Sequence, residues 1–266
     1  MSVLRNVLSI DMDYIMAPCI QLYNDQWTTV ENNGFNPVTM GGQAYWDKIE
    51  DLIGINDFLC YDEKKLEFIK NLATRIASEV DTDHIYFGKE HDSILTFLCQ
   101  DKDKADMVYN VYNIDHHHDI YYNTTQKQNV NRFGYAGMSD WVWYLYTYGK
   151  LNKYYWINND RSKWGMVNKD DLKLSAFSNF KKYMNDPSPL ENIKFDYLYI
   201  CKSENYVPPV YYHFYDDLRK ELSDIKGTNL KIDSEPYAIN NGSRFPIAKD
   251  WRTDGKIGSI LANPVN

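Results

Sequence analysis

Of six histidines in the chain, three are adjacent, His116, His117 and His118, and aspartates flank them in NIDHHHDI. On an extended backbone alternate side chains share one face. The spacing therefore predicts that Asp115, His117 and Asp119 converge on one point while His116 and His118 face away. Asp11 and Asp13 in LSIDMDYI repeat the device with two carboxylates, and His91 in FGKEHDSIL adds an imidazole. Carboxylates packed this closely cannot all stay ionised without compensation. Two divalent cations would cancel the charge of Asp11, Asp13, Asp115 and Asp119, with His91 and His117 as neutral nitrogen ligands. An oxygen-rich donor set with one imidazole per ion and no sulfur suits Mn²⁺ or a related hard-to-borderline ion, two per chain, better than a thiolate-dependent zinc site. Two such ions at about 3.5 to 4 Å can share a hydroxide that is nucleophilic at neutral pH.

Several of these residues stand at or just after the ends of apolar runs. Val3–Asp13, His84–Phe87, Met107–Asp115, Tyr154–Ile157 and Phe195–Cys201 read as strands. Between them, apolar positions from Leu66 to Val80 recur mostly at three and four, which predicts a helix over Lys64–Val80 with one buried stripe. Pro208–Ile225 opens with two prolines suited to a first turn, and Ser139–Tyr148 and Leu174–Met184 are further helix candidates. Strands alternating with helices imply an α/β fold of three layers, with a mostly parallel sheet flanked by helices, because parallel neighbours need crossovers. Ligands of such sheets bind outside the carboxyl ends of the strands, where the acids and histidines fall. Residues 14–62 show few periodic signals and are expected to be a loop insertion or lid, and the tail Gly227–Asn266 to wrap the surface, all within one domain spanning 1–266.

The 266 residues carry 29 Lys and Arg against 37 Asp and Glu, a net charge of −8. That balance argues against nucleic acid as a partner, since phosphate binding needs a basic field. No run approaches the ~20 apolar residues of a membrane span. Met1–Ile10 places Arg5 in a strand-like run instead of a signal peptide, so no membrane association and a cytoplasmic location are expected. Cys19, Cys60, Cys99 and Cys201 lack C-x-x-C spacing and read as reduced thiols in or near the core.

The motifs FGKEHDS, IDHHHD and LSIDMD resemble the G-x-x-H-S-like turn, the D-x-H-x-D and the S-x-D-x-D of the arginase and histone-deacetylase-like superfamily. The resemblance is closer to an arginase-like family that includes peptide arginases. Glu90-His91 resembles its E-H-x-x-x-L element, Asp115–Asp119 its F/I-D-x-H-x-D element, Asp140-Trp141 the start of a downstream helix, and Asp11–Tyr14 its D-I-D-L-D-F-like strand. The S-x-D-x-D strand, last of the three in ordinary arginases, here opens the chain. The resemblance implies one metal held by His91, Asp115, Asp119 and Asp11 and another by His117, Asp115, Asp11 and Asp13, with Asp115 and Asp11 bridging. It also implies an activity: arginine side chains in a precursor peptide become ornithine, with release of urea, through attack of a metal-bridging hydroxide on the guanidinium carbon.

Asp119 could relay a proton to the leaving amine, and the guanidinium needs a planar carboxylate partner, for which Glu90 and Glu204 are the candidates. Glu204 has the advantage of following the apolar strand FDYLYIC. Trp141 and Tyr14 are candidate pocket walls, and His213 is expected to be a partly buried structural residue on a helix. Alternatives stay open: a ureohydrolase acting on free arginine or a related guanidine, a deacetylase-like amidohydrolase, a leader-peptide-binding protein, and a haloacid-dehalogenase-type phosphatase. The phosphatase reading uses Asp11 and Asp13 but leaves the histidine motifs without a role and meets Ile15 where that family usually has Thr or Val.

Overall fold

The apolar run at the N-terminus becomes the central strand of a parallel sheet. The computed structural model describes residues 2–18, 42–53, 59–99, 104, 106–134, 136–159, 162, 181–184, 186–230 and 232. In chain order the elements are β1 (Val3–Asp11), β2 (Met16–Pro18), α1 (Gly42–Ile53), β3 (Leu59–Tyr61), α2 (Glu63–Glu79), β4 (Ile85–Gly88), α3 (Ile94–Cys99) and β5 (Met107–Ile114). There follow α4 (Thr124–Gln128), α5 (Trp141–Thr147), β6 (Leu151–Asn158), β7 (Lys181–Met184), β8 (Tyr197–Cys201) and α6 (Tyr212–Lys226), with short 3-10 and π turns between. The main sheet has six strands in the order β4-β8-β1-β5-β6-β7, and every pairing in it is parallel.

Helices cover both faces. Leu8, Ile10, Leu198 and Ile200 pack towards α2 and α6, while Val7, Val111, Tyr197 and Tyr199 pack towards α3 and α5. Both faces being covered explains why β8 is buried along its whole length and carries no polar alternation. Within α2, Leu66, Ile69, Leu72, Ala73, Ile76 and Ala77 form the buried stripe, and Asp62 caps the first turn by accepting from Lys64 N and Lys65 N.

The side on which the chain leaves each strand decides where a crevice opens. Between β1 and β4 the 17-residue helix α2 packs on one face, whereas after β5, which neighbours β1, the chain turns to α5 on the other. Neighbouring strands whose connections diverge leave a gap at their carboxyl ends. That gap receives the residues following β1, β5, β4 and β8.

Three sequence expectations change. Leu174–Met184 was expected to be helical, but Lys181–Met184 extends the sheet as β7 beside β6; residues 174–180 lie outside the described residues. Pairing to an open sheet edge is a tertiary contribution that no local window contains. Within residues 14–62 the chain forms α1 and an antiparallel ribbon of β2 with β3; residues 19–41 and 54–58 lie outside the described residues. β1 stops at Asp11, and Asp13 sits in a 3-10 turn, Met12–Ile15, instead of continuing the strand. Of the tail, Ile232 bridges to Phe87, and residues 233–266 lie outside the described residues.

Gly88 closes β4 at a tight approach. A Cβ there would overlap the Ser93 hydroxyl and the Tyr199 phenol oxygen, which are hydrogen-bonded to each other at 2.7 Å. Gly88→Ala is expected to cost about 1–3 kcal/mol, the usual range for overpacking. Thermal unfolding measures it as a Tm lower by several degrees; an unchanged Tm contradicts the close packing.

Candidate metal centre

Because the strands are parallel, their carboxyl ends lie on one edge of the sheet, where Asp11 ends β1 and His91 and Asp115 follow β4 and β5. Among the described residues three groups of potential ligands result, buried except for the half-buried His117: His91 with Asp115 and Asp119, Asp13 with Asp115 and His117, and Asp11 with His91 and Cys201. These buried Asp and His groups can hold a metal ion.

His91 is the hub of the first group. Its Nδ1 lies 2.9 Å from Asp119 Oδ2, 3.1 Å from Asp115 Oδ2 and 3.2 Å from Asp11 Oδ2. Yet this buried nitrogen makes no hydrogen bond of acceptable geometry. Its Nε2 is 2.6 Å from Ser9 Oγ; in the neutral tautomer that donates to this oxygen, Nδ1 carries the lone pair that a cation would take. The ring lies parallel to Tyr199 at 5.8 Å and 4.9 Å from the Trp141 ring.

The second group repeats the pattern. His117 Nδ1 is 2.8 Å from Asp13 Oδ2 and 3.8 Å from Asp115 Oδ1, and Asp13 Oδ2 is again buried without a hydrogen-bond partner. Asp115 belongs to both groups, with Oδ2 towards His91 and Oδ1 towards His117. It is held there by Asn113 Nδ2 donating to Oδ2 at 2.9 Å and the His117 N–H donating to Oδ1 at 2.7 Å. Asp11 Oδ1 accepts the Asp13 N–H, and Asp13 Oδ1 accepts the His116 N–H, which ties the D-x-D turn to the histidine segment.

Convergence of Asp115, His117 and Asp119 does not come from an extended chain. β5 ends at Ile114, and the following residues bend, with Asp119 at φ 51° in the left-handed region. Asp119 Oδ2 accepts Trp141 Nε1 at 2.7 Å, and its carbonyl accepts Val142 N, so the start of α5 holds it in that conformation. His116 and His118 turn to other partners: His116 Nδ1 lies 3.1 Å from Asn159 Oδ1, and His118 Nδ1 accepts the Ile120 N–H.

The two candidate guanidinium carboxylates separate. Glu90 lines the cavity, of about 430 Å³, together with Asp11, His91, His117 and Asp119, and Asn205 Nδ2 donates to its Oε1 at 2.8 Å. Glu204 is not among the described lining residues; its carboxylate pairs with Lys202 at 3.2 Å. Tyr122, Gln126, Met138, Ser139, Ser203 and Tyr206 complete the walls, none of them singled out by motif. Ser203, with φ 60°, and Tyr206 follow β8, so the strand-end rule could have found them. Trp141 holds Asp119 instead of lining the cavity, and Tyr14 is buried. His213 is on a helix as expected but is exposed instead of partly buried, because it faces away from the α6 stripe of Phe214, Tyr215, Leu218 and Leu222, with its Nδ1 2.8 Å from the Val210 carbonyl.

Burial raises the Asp115 carboxyl well above the usual range, reinforced by Asp119, Asp13 and Asp11, and burial with Asp11 does the same to Asp13. At Asp11 burial acts upward, but the close approach and charge of the His91 imidazole, with the bond from the Asp13 N–H, outweigh it and leave its carboxyl below the usual range. Burial opposes the charged form of His91, yet Asp11, Asp115 and Asp119 around it raise the imidazole well above its ordinary value. No lysine or arginine is among the described lining residues. The metal-free acids are therefore offset by the raised His91 imidazole and not by a lysine or arginine, and two atoms of the set, His91 Nδ1 and Asp13 Oδ2, make no hydrogen bond of acceptable geometry. Such a donor set fits a divalent cation.

Two consequences are measurable. Burial also pushes Asp92 up to about 7 and Asp140 up to about 8. A carboxyl raised on folding contributes stability that is fully present below its unfolded value and lost as pH rises through the folded one. The Tm of the metal-free protein should therefore rise by several degrees between about pH 8 and about pH 6, with His91 acting in the same direction. A flat or falling Tm over that interval contradicts the protonated cluster. Trp141→Phe, which keeps the packing but removes the donor to Asp119, should weaken metal binding by roughly 10- to 100-fold in a calorimetric titration. Unchanged affinity would remove Asp119 from the ligands.

Among the described residues no helix is long and apolar enough to cross a membrane. Compared with protein-family models, curated proteins and solved structures, the chain matches none.

Proposed function

We propose that this protein is a dinuclear metallohydrolase that converts arginine side chains in a peptide to ornithine, releasing urea. One observation carries the reading: Asp115 directs its two carboxylate oxygens into two separate ligand groups, each with its own imidazole and its own orphaned donor atom. A shared carboxylate is what two neighbouring dications require, and the mostly oxygen donors favour manganese. His91, Asp115, Asp119 and Asp11 would hold one ion, and His117, Asp115, Asp11 and Asp13 the other. When bound, such a pair supplies Lewis acidity and lowers the pKa of coordinated water to near neutrality.

The remaining roles belong to side chains of the chain. Glu90, half-buried and oriented by Asn205, is the carboxylate for a guanidinium; desolvation, then Asp92 and Asp11, raises its carboxyl well above the usual range, which a bound cation would oppose. Its acid-lined cavity favours a cation and excludes anions. Asp119, fixed by Trp141, holds the proton that the departing ornithine amine takes up. The balance is one water added, the bond from the guanidinium carbon to Nε broken, and an ammonium and urea formed. A peptidyl substrate is favoured over free arginine because the described lining residues include no lysine or arginine to pair with an α-carboxylate. The phosphatase alternative has less support, since Asp11 is engaged with His91 and the Asp13 N–H instead of standing free as a nucleophile.

The test is incubation of manganese-loaded protein with an arginine-containing peptide and, separately, with free arginine, followed by mass spectrometry. A loss of about 42 Da per peptidyl arginine is the expected product of metal-assisted hydrolysis. No change in either substrate while two ions are bound would overturn the proposal; a change only in free arginine would move the substrate.

A further inference from the structure

The third ligand group contains a thiol that the oxygen-and-nitrogen account leaves unused. Cys201 is the last residue of β8, and the parallel register sets it directly opposite Asp11. Opposed residues in a sheet send their side chains to the same face. The register alone therefore brings a sulfur beside the Asp11 carboxylate. Its ligand atom lies within 4.8 Å of those of Asp11 and His91, and the residue is fully buried. The thiol's present partner is weak, a 3.5 Å contact to the Lys89 carbonyl. Independently, His91 Nδ1 is a buried donor atom without a hydrogen bond, a second sign that a cation belongs at this spot.

We propose that Cys201 is a sulfur ligand to the ion held at His91. The inference rests on the metal reading of the site and deepens it by making the two halves unequal. The His91 half combines imidazole, carboxylates and sulfur, and so shifts from manganese towards zinc, cobalt or cadmium. The His117 half, with Asp13 and Asp115, offers oxygen and one imidazole and stays suited to a hard ion. Ligation replaces the S–H bond with a sulfur–metal bond and releases that proton to solvent; no electron is transferred. With Cys201 serving one ion only, Asp115 would be the carboxylate shared by two chemically different cations.

Metal-free protein is titrated with Co²⁺ and with Cd²⁺, following thiolate-to-metal charge-transfer absorption and counting ions by elemental analysis. The same titrations are run on Cys201→Ser and Cys201→Ala, and the ¹¹³Cd NMR shift of the wild type gives a readout that needs no variant. The expected result is a charge-transfer band and a sulfur-ligated cadmium shift in the wild type. Both variants should lack the band, keep an ion at the His117 half, and bind Cd²⁺ more weakly by at least the roughly 10- to 100-fold that losing even a supporting group costs a metal site. Ions bound to the wild type without a band, or a band that persists in both variants, overturn the inference while leaving the metal centre standing. A wild-type protein that binds no ion overturns the metal centre itself.

Discussion

Asp115→Asn is expected to release both ions and lower hydrolysis by roughly 10³-fold or more, the scale of losing a group on which the whole catalytic unit depends. Asparagine keeps the size and one acceptor oxygen but cannot offer two anionic oxygens to two centres. The His117 N–H now bonded to Oδ1 and the Asn113 amide bonded to Oδ2 would compete for the single remaining carbonyl. Stability separates a metal role from a structural one. Burial and three neighbouring aspartates hold the Asp115 carboxyl well above its usual range, so the metal-free protein carries it at a cost. Neutralising it should leave the metal-free Tm unchanged or higher. The stabilisation that metal gives the wild type, about 2.7 kcal/mol at a hundredfold excess over Kd and seen as a higher Tm, should disappear. A variant that still binds two ions, or whose metal-free form unfolds much earlier, would make Asp115 structural.

Glu90→Gln should act on substrate alone. The loss of a charged partner for the guanidinium corresponds to about 1.5–3 kcal/mol, or roughly 10- to 100-fold in kcat/KM. Glutamine can keep the bond from Asn205, so the cavity wall should survive and elemental analysis should still find both ions. If the guanidinium is held equally before and during reaction, the change falls mainly on KM. Glu204→Gln is the control: its carboxylate pairs with Lys202, and kcat/KM should stay within error. Equal losses from both variants, or none from Glu90→Gln, would send the search for the guanidinium partner to residues outside the cavity wall.

The motifs were legible because each one interrupts an apolar run. Asp11, Asp115 and His91 stand where strands that read as buried stop, and an α/β sheet gathers such ends on one edge. The route by which the side chains meet was not legible. Alternation on an extended chain accounts for neither pair: Asp13 arrives through a 3-10 turn and Asp119 through a left-handed residue held by Trp141. Ser9 was visible as a letter of the S-x-D-x-D motif, but its work, fixing which His91 nitrogen is free, depends on a contact spanning 82 positions.

What the sequence by itself determined was the alternation of strands and helices, the stripe of α2, and the residue types able to carry the chemistry. These follow from periodicities of two and of three to four residues, which are local properties of the backbone. Tertiary structure alone decided three things: which glutamate faces the cavity, which strand lies beside β1, and which side chain therefore accompanies Asp11. The Lys202 pair draws Glu204 away, and the parallel register of β8 on β1 sets Cys201 opposite Asp11 across 190 residues of chain. Strand order and register are settled by the sum of packing on both faces of the sheet, so no window along the chain contains them.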